Sequence, residues 1–260
     1  MEALVWTAQG TGFTFAMTAA GAAVVFLVRK RKGNTFKRLF LGFAGGVMIA
    51  AAVWSLLIPS IEQAADMGII SWVPAAGGFI LGVAFMFVLD MLVPHMHPET
   101  KTVEGHRSSL QRTTLLVSAV TLHNIPEGMA VGLAFAAAAH GTGHPSAAIA
   151  LAIGIGIQNF PEGAAISLPL RQEGLSAGRA FLGGVLSGLP EPVFGLLAAL
   201  VAGVLLPVMP WLLAFAAGAM LYVVVEELIP EAHLGEHSNL GTMGVLAGFL
   251  VMMILDVALG

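Results

Sequence analysis

The sequence predicts an all-α, polytopic membrane protein of eight transmembrane helices with both termini outside. Three observations carry that prediction. Mean hydropathy is +0.90, and only 10% of the 260 residues are charged, against roughly 25% in soluble domains. Apolar runs of about 20 residues recur along the whole chain, whereas the alternating ten-residue segments of a membrane barrel are missing. All eleven basic residues fall in or beside alternate loops, as expected when cytoplasmic loops gather Lys and Arg.

Apolar runs read against breakers put the spans at roughly 7–28, 38–59, 72–94, 111–139, 146–169, 179–206, 211–230 and 240–259, forming one domain over 1–260. The first is read as a retained span rather than a signal peptide. No positive stretch precedes it, and the basic cluster Arg29, Lys30, Arg31, Lys32 follows it. Basic residues from Arg29 to Arg38, from Lys101 to Arg112, and at Arg171 and Arg179 then mark the cytoplasmic side three times. The longest loop, between spans 3 and 4, is too short to fold alone. Absence of cysteine excludes a disulfide framework and a thiolate metal site. No nucleic-acid partner and no cofactor are expected.

Span 4 carries LHNIPEGMAVGLAF and span 5 carries IQNFPEGAAISLPL, so N-x-P-E-G occurs twice. Each motif sits well inside its span, and adjacent spans are antiparallel. His123, Glu127, Gln158 and Glu162 are therefore expected together near the bilayer midplane, where carriers hold their substrate. Each pair, His123 with Glu127 and Gln158 with Glu162, is spaced i, i+4 and shares one helix face. Pro126 and Pro161 lack the N–H that would bond the carbonyls of Leu122 and Ile157, which predicts kinks and freed carbonyls beside the acids. Span 6 adds GLPEPVFG, with Glu191 between Pro190 and Pro192, freeing the carbonyls of Leu186 and Gly188 by the same reasoning.

Three intramembrane carboxylates have to be neutralised. Each costs on the order of 2.5–3.5 kcal/mol at a helix centre, and together they repel. No Lys or Arg lies deep in any span, so the compensation is protons or bound cations. The imidazole favours zinc and its first-row neighbours over sodium or magnesium, which prefer oxygen alone. Asn124 and Asn159 fit interhelical hydrogen bonding as well as ligation, and Met48 fits packing.

HNIPEG, QNFPEG, GLPEP, VVVEELIPE and the SLLIPSIE of span 2 together resemble the ZIP (zinc and iron transporter) family, in its bacterial GufA-like branch. The match runs from about residue 36 to the end of span 8. The resemblance implies a ZIP-type bundle in the inner membrane, a homodimer, and uptake of zinc, cadmium, iron or manganese toward the cytoplasm without ATP. It implies a principal metal site of His123, Glu127, Gln158, Glu162 and Glu191, which Met48 can join. A second, adjacent site would use Asn124 and Asn159 with shared Glu162 and Glu191. Some relatives carry Asp where this chain has Asn159, so the second ion is expected to be held more weakly. It further implies that spans 1, 4, 5 and 6 slide as a unit against 2, 3, 7 and 8.

Outlying polar residues fit a path through the membrane or a solvated surface. Glu62, Asp66, His140 and His144 are expected at the outer mouth, and Asp90, Glu226, Glu227 and Glu231 toward the cytoplasmic exit. His95, His97, His106, His233 and His237 fall in cytoplasmic loops, and Asp256 in span 8 has no assigned role. Two transporter alternatives keep the fold: a proton-coupled carrier of another solute, and a passive metal-selective channel. An enzyme is not expected, since HExxH is absent and no general base is evident. A retinal-type receptor would need an intramembrane Lys.

Overall fold

The computed structural model describes residues 2–27, 34–92, 95–96, 103–104, 112–172, 174–204, 206–233 and 239–259. Of the positions named above, Arg29 to Lys32, Lys101, Arg107, His97, His106 and His237 lie outside the described residues, as do the side chains of His95, His123, Glu231 and His233.

Helix α1 runs Glu2–Ala22 and ends in a 3-10 turn, Ala23–Phe26. Helix α2, Asn34–Ala51, passes through a π-helical turn, Ala52–Leu57, into α3, Ile58–Asp66. Helix α4 is Trp72–Leu92. Two-residue strands β1, His95–Met96, and β2, Val103–Glu104, pair antiparallel with His95 opposite Glu104. The long helices α5, Arg112–Ala139, and α6, Pro145–Gln172, follow. Next come α7, Ala177–Gly188, and α8, Pro190–Val204. Helix α9, Met209–Val223, continues through a second π turn, Val224–Leu228, into α10, Ile229–His233, and α11 is Leu240–Leu259.

Among the described residues six helical stretches are long and apolar enough to cross a membrane: Arg38–Asp66, Trp72–Leu92, Pro145–Arg171, Ala177–Val204, Met209–Leu228 and Leu240–Leu259. Helices α1 and α5 have comparable lengths, 21 and 28 residues.

Several expectations change in detail. The first span is displaced toward the N-terminus, and the second extends to Asp66 because Pro59, at the start of α3, is accommodated by the π turn before it. Sixth-span continuity is broken between Gly188 and Pro190. There the Leu186 carbonyl, expected to be freed by Pro190, accepts a backbone bond of 3.2 Å from the Leu189 N–H, a 3-10 closure typical of helix ends. In contrast, α5 and α6 run on through Pro126 and Pro161 as single helices.

Packing follows small residues, as it must where lipid removes the hydrophobic drive between helices. On α11 the buried row Gly244, Gly248, Met252, Asp256 repeats every fourth residue. It lies on Gly42 and Gly46 of α2, so closely that a Cβ on Gly248 would overlap the Phe43 carbonyl. Helix α4 meets α9 in the same way through Gly78 and Gly82. The most extensive pairings are α2 with α11, α4 with α9, α1 with α6, and α5 with α8. Helices α1, α5, α6, α7 and α8 thus form one group, and the helices from α2 to α4 with α9 to α11 form another.

Replacing Gly248 with Leu should cost about 1–3 kcal/mol through overpacking and lower the thermal midpoint in detergent. Gly12→Leu, where a Cβ meets nothing within 4 Å, should leave the midpoint unchanged.

Candidate metal-transport site

The centre of the first helix group is polar. Asn124, Glu127, Gln158, Asn159 and Glu191 have no exposed surface, and Glu162 has 5%. Glu127 comes from α5, Gln158, Asn159 and Glu162 from α6, and Glu191 from the first turn of α8. Pro190 opens α8 at the position where a missing N–H costs nothing. That puts Glu191 at a helix N-terminus, where backbone N–H groups favour negative charge. Gly128 lies against the Glu191 backbone and would overlap its carbonyl if it bore a Cβ, which holds Glu127 and Glu191 on adjoining backbones.

Amide donors stand between the carboxylates. Gln158 Nε2 donates to Glu127 Oε1. Asn159 Nδ2 donates to Glu191 Oε2 at 2.8 Å and to the Thr14 carbonyl at 3.2 Å. Thr18 Oγ1 donates to Glu191 Oε1 at 3.2 Å. The three glutamates lie within Coulombic range of one another, and α5 and α6 between Thr113 and Leu170 carry no Lys or Arg. Among the described residues, Glu127 Oε2, Gln158 Oε1 and Asn159 Oδ1 are buried and accept no hydrogen bond. Buried oxygens of this kind are strongly disfavoured unless a donor or cation answers them. Among the described residues no three His, Asp or Glu side chains are gathered tightly enough to hold a metal ion alone, and the donors here are carboxylates interleaved with amides.

The structure brings together Glu127, Gln158, Asn159, Glu162 and Glu191 and leaves other expected residues apart. Asn124 Nδ2 donates to the Ser187 carbonyl at 2.8 Å, tying α5 to α7. Met48 is fully buried in the apolar cluster that also holds Ile125 and Ile155. Glu62 and Asp66 are exposed on α3, and His140 and His144 are exposed in the loop before α6. Asp90 accepts from the Tyr222 hydroxyl at 3.1 Å. Glu226 is exposed and Glu227 is buried, side by side in the second π turn. Asp256 accepts from Ser55 Oγ at 2.6 Å.

The sequence reading placed a first span but missed the threonines that α1 brings to the site. Thr7, Thr11, Thr14 and Thr18 are all buried on one face of that helix, and the last two reach the carboxylate cluster. Their i, i+4, i+7, i+11 spacing was visible as a hydroxyl stripe.

A family model described as ZIP Zinc transporter matches residues 95–256. The chain is 39% identical over 260 residues to Zinc transporter GufA of Myxococcus xanthus, covering 97% of this chain and all of that one. The chain belongs to the ZIP zinc transporter family. Against Zinc transporter ZIPB of Bordetella bronchiseptica the identity is 40% over 249 residues, covering 95% of this chain and 79% of the relative. Against Zinc transporter ZIP11 of Homo sapiens it is 38% over 330 residues, covering 96% of each. Likeness to GufA and ZIPB places this ZIP protein in the GufA-like branch. It is a multi-pass membrane protein of a metal-ion transport family, not an enzyme family.

An Asn124→Leu variant should lose about 0.6 kcal/mol, the average for an interhelical hydrogen bond in a membrane. Zinc affinity at the tightest site should stay within twofold, as read by calorimetry on purified protein. A large loss of affinity there with unchanged stability would make Asn124 a ligand of the tightest site.

Proposed function

We propose that this ZIP protein carries divalent transition-metal ions, zinc foremost, into the cytoplasm through the buried cluster of Glu127, Gln158, Glu162 and Glu191 together with His123. The observation that carries the reading is the burial of three mutually repelling carboxylates beside the amides of Gln158 and Asn159, on stretches of α5, α6 and α8 whose sequence holds no Lys or Arg between Thr113 and Leu170 or between Pro190 and Val204. A divalent cation answers that charge, and an elongated organic solute has no comparable claim on it. The named activity of GufA, ZIPB and ZIP11 as zinc transporters supports zinc as the substrate. Cadmium, iron and manganese belong to the same ligand chemistry. In this reading the Gln158 amide turns its oxygen to the ion, releasing Glu127. Met48, on the neighbouring α2, is the thioether that joins the ion from the second helix group. Asn124 and Asn159, with Glu162 and Glu191, hold a weaker second ion, because Asn159 brings no charge.

The proposed frame is one domain of eight spans, α1 and α5 included, with both termini outside, in the inner membrane and paired as a homodimer. Glu62 and Asp66 then face the outside, and Asp90, Glu226, Glu227 and Glu231 face the cytoplasmic exit. The two helix groups support an elevator motion in which α1, α5, α6, α7 and α8 travel with the ion.

Proteoliposomes containing only this protein should show saturable zinc uptake, and Glu162→Ala or Glu191→Ala should abolish it while folded protein remains. Normal uptake in both variants overturns the site; non-saturable flux favours a channel; uptake of protons without metal favours a carrier of another solute. Asn159→Asp should tighten the weaker of two zinc ions in calorimetry, by adding a carboxylate beside Glu162 and Glu191. Because the chain has no cysteine, orientation is directly testable. A His144→Cys protein should react with an impermeant maleimide on intact spheroplasts, and a Gly178→Cys protein only after permeabilisation.

A further inference from the structure

We infer that Thr18 of α1 is a positioning residue that restricts Glu191 to one ligating oxygen per ion and so sets the preference for small, low-coordination cations. The inference rests on the reading of Glu191 as a metal ligand and adds to it a helix that the paired motifs do not mark.

Three contacts fix Thr18. Its backbone carbonyl lies against Gly163 of α6, where any Cβ would overlap it. Its methyl faces Gly188 at the end of α7, where an added Cβ would stand 3.0 Å from Cγ2 and 3.1 Å from Cβ. With the methyl side closed, the hydroxyl has two acceptors, the Thr14 carbonyl at 3.3 Å and Glu191 Oε1 at 3.2 Å. Thr18 is 1% exposed, so water does not compete for it. A β-branched side chain in a helix has few rotamers to choose from, and here packing selects one.

Glu191 is thereby held at both ends, by Thr18 on Oε1 and by Asn159 on Oε2, and Thr14 also hydrogen-bonds to its carboxylate. An ionised carboxylate has about four lone-pair sites, and a donor on each oxygen disfavours chelation through both. One oxygen per carboxylate suits tetrahedral zinc. Manganese, which favours six oxygen donors, gains more from a chelating carboxylate. Thr18 thus acts on selectivity through Glu191 without touching the ion.

The test measures uptake KM and Vmax for zinc and for manganese with the full chain in proteoliposomes, and zinc Kd by calorimetry. Thr18→Val keeps the shape and removes the donor. Zinc KM should rise about threefold to tenfold, the range for losing one interhelical hydrogen bond in a membrane, with Vmax within twofold. Manganese KM should rise less, so the zinc-to-manganese preference narrows. Thr18→Ser should restore the parent preference. Gly188→Ala, which pushes on the Thr18 methyl while keeping the hydroxyl, should narrow the preference as Thr18→Val does; it serves equally if Thr18→Val does not fold. Equal losses for both metals, or unchanged preference in Thr18→Val and Gly188→Ala, overturn the inference. If Glu191→Gln leaves zinc Kd unchanged, the ligand reading itself fails; if Glu191→Gln weakens zinc and Thr18→Val does not, only the role of Thr18 fails.

Discussion

Three carboxyl groups buried close together in a low-dielectric interior are the constraint on which the rest of this fold depends. Glu127, Glu162 and Glu191 sit at or near zero exposure, where an uncompensated carboxylate costs several kcal/mol. The chain answers with neutral donors: Gln158 on Glu127, and Asn159 and Thr18 on Glu191. The start of α8 at Pro190 adds the favourable field of a helix N-terminus, worth about 0.3–1 kcal/mol in the first turn. These interactions soften the repulsion and do not cancel the charge. In the proposed function a cation supplies the remaining compensation, and when it leaves, the neutral donors are in place on the carboxylates.

The same constraint explains where the glycines are. Donors and carboxylates come from α1, α5, α6 and α8, so these helices have to approach at backbone distance. Gly128 meets Glu191, Gly163 meets Thr18, and Gly132 meets Gly195. Such interlocks fix register, because sliding one helix past another drives backbone into backbone. Between the two groups the contacts differ. Met252 of α11 fills the space over Gly154 of α6, and Met48, Leu133 and Met220 share the same apolar cluster. Flexible thioethers repack at low cost, so the seam between groups is where relative motion is least opposed.

What the sequence made legible follows from how local each signal is. The paired N-x-P-E-G motifs announce Glu127, Gln158 and Glu162 because i, i+4 spacing and an interior proline are properties of one helix. Glu191 announces itself as a charge inside an apolar run. Thr14 and Thr18 do not, since buried threonines in a helix satisfy themselves on the preceding turn, as Thr11 does on the Thr7 carbonyl at 2.8 Å. Only the placement of α1 beside α6 and α8 turns the hydroxyls of Thr14 and Thr18 toward Glu191. The basic loops give an expectation of span parity, whereas the break at Gly188 depends on whether a 3-10 bond closes over Pro190, which composition does not report.

The π turns show the same limit and suggest how the second helix group is specialised. Pro59 and Pro230 each remove a backbone donor, and each is preceded by a widened turn in which Ile58 bonds the Val53 carbonyl and Ile229 the Val224 carbonyl. Sequence shows both prolines but not which carbonyls are reassigned. A widened turn rotates the side chains before the proline away from ideal helical spacing. In α2 that turn contains Ser55, which meets Asp256 of α11. In α9 it contains Glu226 and Glu227, one exposed and one buried. The first group therefore concentrates its polar side chains at one depth between interlocked helices, while the second spreads them along two proline-adjusted helices. That division suits the proposed motion, in which the first group travels with the ion against the second.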